Sequence, residues 1–142
     1  MKSILVILLL VISQVSFSDD SNTVSNKDYQ VFYNAFPSTF LTPEVAKNYQ
    51  IERSANRGLF NISIRKKNND TSEPAKAKLI VSAKNLIGQE KSVDVKEIIE
   101  AGEAIYYIGS FSVSEEEVIH FNIDVIPENS QTSLNVKFTH EF

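Results

Sequence analysis

The sequence predicts an all-β protein, an antiparallel two-sheet sandwich of immunoglobulin-like type with about seven strands. Apolar and polar residues alternate along most of the chain, a period that is typical of strands with one face in a core. Turn-forming residues separate these segments, and only one short helix signal interrupts them. An open barrel is the alternative architecture that the same pattern allows.

Residues 1–18 are predicted to be a signal peptide that is cleaved from the working protein. Lys2 precedes an unbroken apolar run at residues 4–12, and Ser16 and Ser18 provide the small side chains that a signal peptidase reads. The apolar run is about half as long as a membrane span. We therefore expect the mature chain to begin at Asp19 and to work outside the cytoplasm.

The composition excludes several classes of protein. The chain has no Cys, so it has no disulfide and lacks the cysteine that a bacterial lipoprotein carries after its cleavage site. No other segment is long and apolar enough to span a membrane. The net charge of −4, which becomes one unit more negative when Lys2 is removed, disfavours binding to nucleic acid.

The beginning of the mature chain contains the first strand and the helix. Residues 19–27 are polar and are predicted to be a flexible leader before a single domain at residues 28–142. The first strand, at residues 28–36, carries aromatic side chains on both faces. Thr42 and Pro43 then form a helix-start signal, which predicts about two helical turns docked by apolar residues at either end.

The remaining strands follow at regular spacing. From Gly58, the residues Phe60, Ile62 and Ile64 alternate with polar ones, and a polar turn region occupies residues 66–74. Further strands are predicted at about residues 75–84, 91–95, 104–113, 118–126 and 134–142. Val95 is expected to point inward, and residues 98–99 are expected to lead into a turn at residues 100–103.

The segment at residues 36–58 departs most from this pattern, because it is longer than a hairpin connection needs. It supplies the candidate residues for binding a partner or ligand: Glu44, Tyr49, Arg53 and Arg57. The two arginines could form a fork for a carboxylate or phosphate. The interpretation that we favour is intramolecular, with arginine paired to Glu44 or Glu52 and the helix plugging one open end of the sandwich.

No catalytic motif stands out, and no cofactor is expected. His120 and His140 lie on the last two strands, and a turn near residue 129 would place His120 opposite Phe138 and close enough to His140 for a zinc site. Two solvent-facing histidines are the favoured interpretation, so no metal is expected. The acidic run at residues 115–117 is predicted to be an exposed connector.

The chain also resembles a known family. The block YNAFPSTFLTPEVAKNYQIERSANRGLFNISI at residues 33–64, with its Phe-Leu-Thr-Pro-Glu-Val-Ala run, is similar to a family of small secreted proteins of unknown function from gamma-proteobacteria. The pieces AKNLIGQ, EAIYYIGSF and FNIDVIP are similar too. The resemblance implies a periplasmic or secreted β-sandwich of a Gram-negative bacterium, and it transfers no catalytic residue.

These observations lead to two functional hypotheses. The first is a non-enzymatic binding or accessory protein of the cell envelope that contacts an unidentified envelope protein through a sheet edge or the segment at residues 36–58. The alternative is a small-ligand binder or enzyme with a pocket between that segment and the sheets.

Overall fold

The computed structural model of the protein describes residues 22–101 and 104–142, which form two antiparallel sheets. The larger sheet has the strand order β1-β2-β3-β7-β6 with β4 also paired to β3, and the smaller sheet has the order β5-β8-β9. The all-β sandwich prediction is confirmed. The elements are β1 (Thr23–Ser25), β2 (Tyr29–Pro37), a 3-10 turn (Ser38–Phe40), α1 (Pro43–Asn48), β3 (Arg57–Asn68), β4 (Thr71–Pro74), β5 (Ala77–Asn85), β6 (Asp94–Glu100), β7 (Ala104–Ser112), β8 (Val118–Pro127) and β9 (Leu134–Glu141).

The main core lies between the two sheets and is built from the alternating residues that the sequence indicates. Phe60, Phe111 and Phe121 form its aromatic centre, with ring centroids 5.4 to 6.4 Å apart. The predicted inward-facing residues of β3, β7, β8 and β9 surround these rings. Their burial removes a continuous apolar surface from water, which is the main force that holds the sheets together.

Two short strands extend the larger sheet beyond the predicted set. Thr23–Ser25, within the predicted leader, pair with β2 as an added edge strand, whereas residues 1–21 lie outside the described residues. Thr71–Pro74, within the predicted turn region, pair with the end of β3 around a two-residue turn. Both segments are mostly polar, although Val24 of β1 packs against the main core and Arg65 of β3 donates to Ser72 of β4.

The sixth strand begins later than the sequence indicates. It runs from Asp94 to Glu100, so Ile98 and Ile99 lie within a strand instead of leading into a turn. Val95 shares the inner face with Gly109 but is 38% exposed, because β6 is the edge of a sheet that is wider than its partner. The rest of the predicted turn at residues 102–103 lies outside the described residues.

Polar contacts join the two sheets at their margins. The Tyr107 hydroxyl on β7 accepts a hydrogen bond from the Ala77 backbone N–H at 2.9 Å and donates one to Glu97 at 2.8 Å. Lys91 forms an ion pair with Glu117 between two loops, and only 18% and 15% of these side chains are exposed. Glu117 is therefore not part of an exposed connector, as the sequence had indicated.

Candidate functional site

We name residues 38–56 the insertion, since they leave β2 and return to β3 across the outer face of the larger sheet. Ile51 of the insertion packs on Leu59 and Ile108 in a second apolar cluster that is separate from the main core. The partly buried residues around this cluster are Phe36, Leu41, Tyr49, Ile98 and Tyr106. The residues that flank the helix, Leu41, Tyr49 and Ile51, thus dock on the outer face of the larger sheet, and the expectation that the helix plugs an open end of the sandwich is wrong.

The helix α1 forms as the sequence indicates and ends in a specific turn. The Thr42 hydroxyl accepts a hydrogen bond from the Val45 backbone N–H at 3.3 Å, and Pro43 occupies the first turn. At the other end, the Ile51 N–H donates to the Ala46 carbonyl, and the Gln50 N–H donates to the Lys47 carbonyl. This pair of bonds is a Schellman motif, and Gln50 adopts its left-handed conformation with φ of 56°.

The 3-10 turn presents Phe40 to solvent from a rigid support. The Ser38 hydroxyl is fully buried; it donates to the Ser54 carbonyl at 3.0 Å and accepts from the Ser54 N–H at 2.9 Å. The Arg53 guanidinium donates to the carbonyls of Leu41 and Thr39, the two neighbours of Phe40. Phe40 is nevertheless 77% exposed, and its ring centroid lies 6.3 Å from that of Phe36. Four hydrogen bonds therefore hold a turn whose aromatic ring remains largely in water.

The two predicted arginines do not form a joint fork. Arg53 binds backbone carbonyls at the 3-10 turn, as above. Arg57 instead donates from Nη1 to the Ser110 hydroxyl at 3.0 Å, and its Nε lies 3.6 Å from the Glu52 carboxylate. Pairing with Glu52 agrees with the intramolecular interpretation, although 3.6 Å is too long for a hydrogen bond. The buried Nε therefore has no hydrogen-bond partner among the described residues.

Tyr49 and Glu44 have different surroundings. The Tyr49 hydroxyl donates to the Glu100 carboxylate on β6, and this hydrogen bond, with burial, raises the pKa of Tyr49. Lys96 on the same strand donates to the carbonyls of Gln50 at 2.7 Å and Tyr49 at 3.4 Å. These contacts attach the end of α1 to the edge strand. Glu44 lies exposed in the first turn of α1.

A small pocket of about 150 Å³ lies where the insertion meets β6 and β7. Ile108 and Ser110 of β7 contribute to its lining. The charged residues that line it are two of each sign: Arg57, Lys96, Glu52 and Asp94. Gln50 and Ile51 complete the lining from the insertion. A pocket between this segment and the sheets belongs to the alternative functional hypothesis, but the sequence does not indicate that β6 supplies Asp94 and Lys96 and β7 supplies Ser110.

The two histidines lie on opposite faces of the smaller sheet. His120 pairs with Thr139, and His140 pairs with Ile119, one residue away from the predicted register. A shift of one residue turns a strand side chain to the other face, so the alternative in which the two rings approach each other is wrong. The favoured interpretation of two solvent-facing histidines holds only for His120, because His140 lies on the inner face and is partly buried. His120 Nδ1 lies 2.8 Å from the Thr139 hydroxyl. Within residues 22–101 and 104–142, no three His, Cys, Asp or Glu side chains are grouped for a metal ion.

The residue that sequence reasoning missed is Phe40. It lies in a stretch without a strand or helix period, where apolar residues carry no indication of which side chains are buried.

In the part of the chain that the structure covers, no helix has the length and hydrophobicity needed to cross a bilayer.

Comparisons with known proteins agree with the fold. A DUF4426 family protein from Pseudomonas aeruginosa, described by a crystal structure, is 30% identical in sequence to this chain. The match covers 84% of this chain and 92% of that chain, with a TM-score of 0.70. The yeast GGA1 GAE domain is 10% identical over 84% of this chain and 95% of that chain, and its TM-score of 0.40 supports no argument. A comparison with curated proteins gives no significant match. Residues 23–142 match the family described as a domain of unknown function, DUF4426. The chain belongs to the DUF4426 family.

Proposed function

We propose that the protein is a non-enzymatic binding or accessory protein of the bacterial cell envelope, and that Phe40 is the anchor that enters an apolar pocket of a protein partner. The supporting observation is the exposure of this ring on a turn that is fixed by Ser38 and Arg53. Exposed aromatic side chains on rigid supports bind well, because little conformational entropy is lost when they dock. The role of Arg53 in this proposal is to position the turn rather than to contact the partner.

Location in the envelope rests on the first eighteen residues, whose composition is that of a signal peptide. If the protein is exported, the form isolated from a periplasmic or secreted fraction has Asp19 as its first residue, which intact-mass measurement detects. A cytoplasmic protein that retains Met1 would contradict the proposed location.

The anchor is tested by site-specific photo-crosslinking in the cells that express the protein. A photoreactive phenylalanine at position 40 should give one discrete adduct, whereas the same group at Ile87 should not. Ile87 is a matched control because it is 79% exposed but lies on the loop between β5 and β6. Equal adducts at both positions would contradict the proposal.

Affinity for the partner identified in this way gives the quantitative test. Phe40→Ala should weaken binding by about 30-fold, the effect of losing about 2 kcal/mol at an interface hot spot. Ile87→Ala should leave the affinity unchanged, and Phe40→Ala should leave the free energy of unfolding within about 0.5 kcal/mol, because the ring is exposed. A Phe40→Ala variant that binds within about twofold of the original would refute the anchor.

A further inference from the structure

The pocket between the insertion and the larger sheet has unused hydrogen-bond donors. The Arg57 Nε is buried and has no hydrogen-bond partner among the described residues. The Ser110 hydroxyl accepts from Arg57 and keeps its own hydrogen for another acceptor. Lys96 donates two of its three N–H groups to backbone carbonyls, which leaves one. Three donors, two of them cationic, therefore have capacity for a negatively charged group.

The same pocket also has negatively charged hydrogen-bond acceptors that are not used. Asp94 lies exposed at the start of β6, where it pairs with Ser110 of β7, and its carboxylate makes no hydrogen bond or ion pair within residues 22–101 and 104–142. The Glu52 carboxylate faces Arg57 Nε at 3.6 Å, without a hydrogen bond. These two carboxylates have capacity for a positively charged group that brings N–H donors.

This distribution of charge selects among ligands. A simple anion would be attracted by Arg57 and Lys96 but repelled by Asp94 and Glu52. A simple cation would be attracted by the two carboxylates but repelled by the two basic side chains. A molecule that carries both charges satisfies both sets. The volume of about 150 Å³ corresponds to about five water molecules, which is enough for a small molecule only.

We propose that this pocket binds a small zwitterion of the size of glycine or alanine, with its carboxylate at Arg57, Lys96 and Ser110 and its ammonium group at Asp94 and Glu52. The apolar side chains of Ile51 and Ile108 in the lining can contact a hydrogen or methyl substituent. Phe40 does not line this pocket, so the proposed ligand site and the proposed partner contact can be tested independently.

NMR titration of the isotope-labelled mature protein tests the site with glycine and L-alanine as probes. Acetate and methylammonium, each added alone, carry only one of the two charges. We expect saturable shifts of the Arg57, Lys96 and Ile108 amide signals with at least one of the two zwitterions, with a dissociation constant of about 1 mM or below. Acetate and methylammonium should bind at least about tenfold more weakly.

Two variants separate ligand binding from effects on the fold. Asp94→Asn keeps the shape of an exposed side chain and should weaken binding at least about tenfold, the loss expected for one charge-assisted hydrogen bond. Glu44→Gln removes a carboxylate that is on the insertion but outside the pocket lining, and it should leave binding unchanged. The proposal is overturned if neither zwitterion saturates these signals by about 20 mM, if acetate binds as tightly, or if Asp94→Asn binds equally.

Discussion

Gly109 on β7 is the glycine at which adding a methyl group should lower the free energy of unfolding most. It pairs with Phe60 of β3, whose ring lies against it. A Cβ atom at this position would be 2.2 Å from two atoms of that ring, whereas ordinary van der Waals contact begins at 3.4 Å. The Phe60 ring is fully buried, with Phe111 and Phe121 on its other sides, so it cannot move away without displacing both.

The magnitude follows from two opposing effects. Inserting one carbon into a packed core costs about 1–3 kcal/mol, and the severity of this clash places Gly109→Ala near the upper end. Alanine also restricts the backbone of the unfolded chain, which stabilises the folded state by about 0.5–1 kcal/mol. The net expectation is a decrease of about 2 kcal/mol in the free energy of unfolding, or about 8 °C in melting temperature for a domain of this size.

Urea denaturation followed by fluorescence or circular dichroism measures this change. Gly58→Ala is the matched control, because it gives the unfolded chain the same entropy change. Its new Cβ would lie 2.6 to 2.9 Å from ring atoms of Phe111 and Phe142, a milder overlap than the 2.2 Å at Gly109, so the expected decrease in the free energy of unfolding is smaller. Adding Phe60→Leu should recover part of the loss in Gly109→Ala, since the smaller side chain vacates the contact.

Two results would refute the reasoning. The first is a Gly109→Ala variant whose free energy of unfolding lies within about 0.5 kcal/mol of the original. The second is a double variant with Phe60→Leu whose loss equals the sum of the two single losses, because independent sites add whereas a shared clash does not.

Three further predictions concern polar contacts. Ser38→Ala should lower the free energy of unfolding by about 2 kcal/mol in urea denaturation, because it leaves the N–H and carbonyl of Ser54 without their partner, and it should speed hydrogen exchange across the 3-10 turn. Glu117→Gln should cost about 2 kcal/mol by the same measurement, because Lys91 would keep its charge in a largely buried place. Burial raises the pKa of Tyr107 to about 12, so the folded state keeps a proton that the unfolded state releases near pH 10. The free energy of unfolding should therefore fall as the pH rises from about 10 to about 12. In Tyr107→Phe the free energy of unfolding should fall less steeply over the same pH range.

Each of these has a contradicting outcome. Unchanged stability in Ser38→Ala would mean that water replaces the hydroxyl without cost. A Glu117→Gln variant as stable as the original would place the ion pair among weak surface contacts. Parallel pH profiles for the original protein and Tyr107→Phe would mean that this hydroxyl is not protected by folding.

The strands and the helix differ in how well the sequence predicts them. β8 and β9 are predictable because every second residue is apolar, and only a strand puts such residues on one face. The helix α1 is predictable because Thr42 and Pro43 act on the backbone next to them. β1 and β4 are not predictable, since their residues are mainly polar and the strands exist through hydrogen bonds to a neighbour.

The candidate site is less predictable than the fold. The sequence indicated Arg53 and Arg57 as candidate binding residues and favoured their pairing within the protein. Arg57 does lie beside Glu52, but Arg53 binds the backbone carbonyls on either side of Phe40, whose exposed ring the sequence did not indicate. Whether a charged or aromatic side chain faces water depends on what folds over it. The register of β8 with β9, which differs by one residue from the predicted one, shows the same limit for His120.

The sequence by itself determined that this protein is all-β with one short helix, because alternation and helix capping are properties of neighbouring residues. Only the tertiary structure decided that the insertion lies on the outer face of the larger sheet and that Lys96 and Asp94 meet Arg57 around one pocket. Those contacts join residues that are far apart in the chain, and their geometry is fixed by sheet order and register rather than by any local pattern.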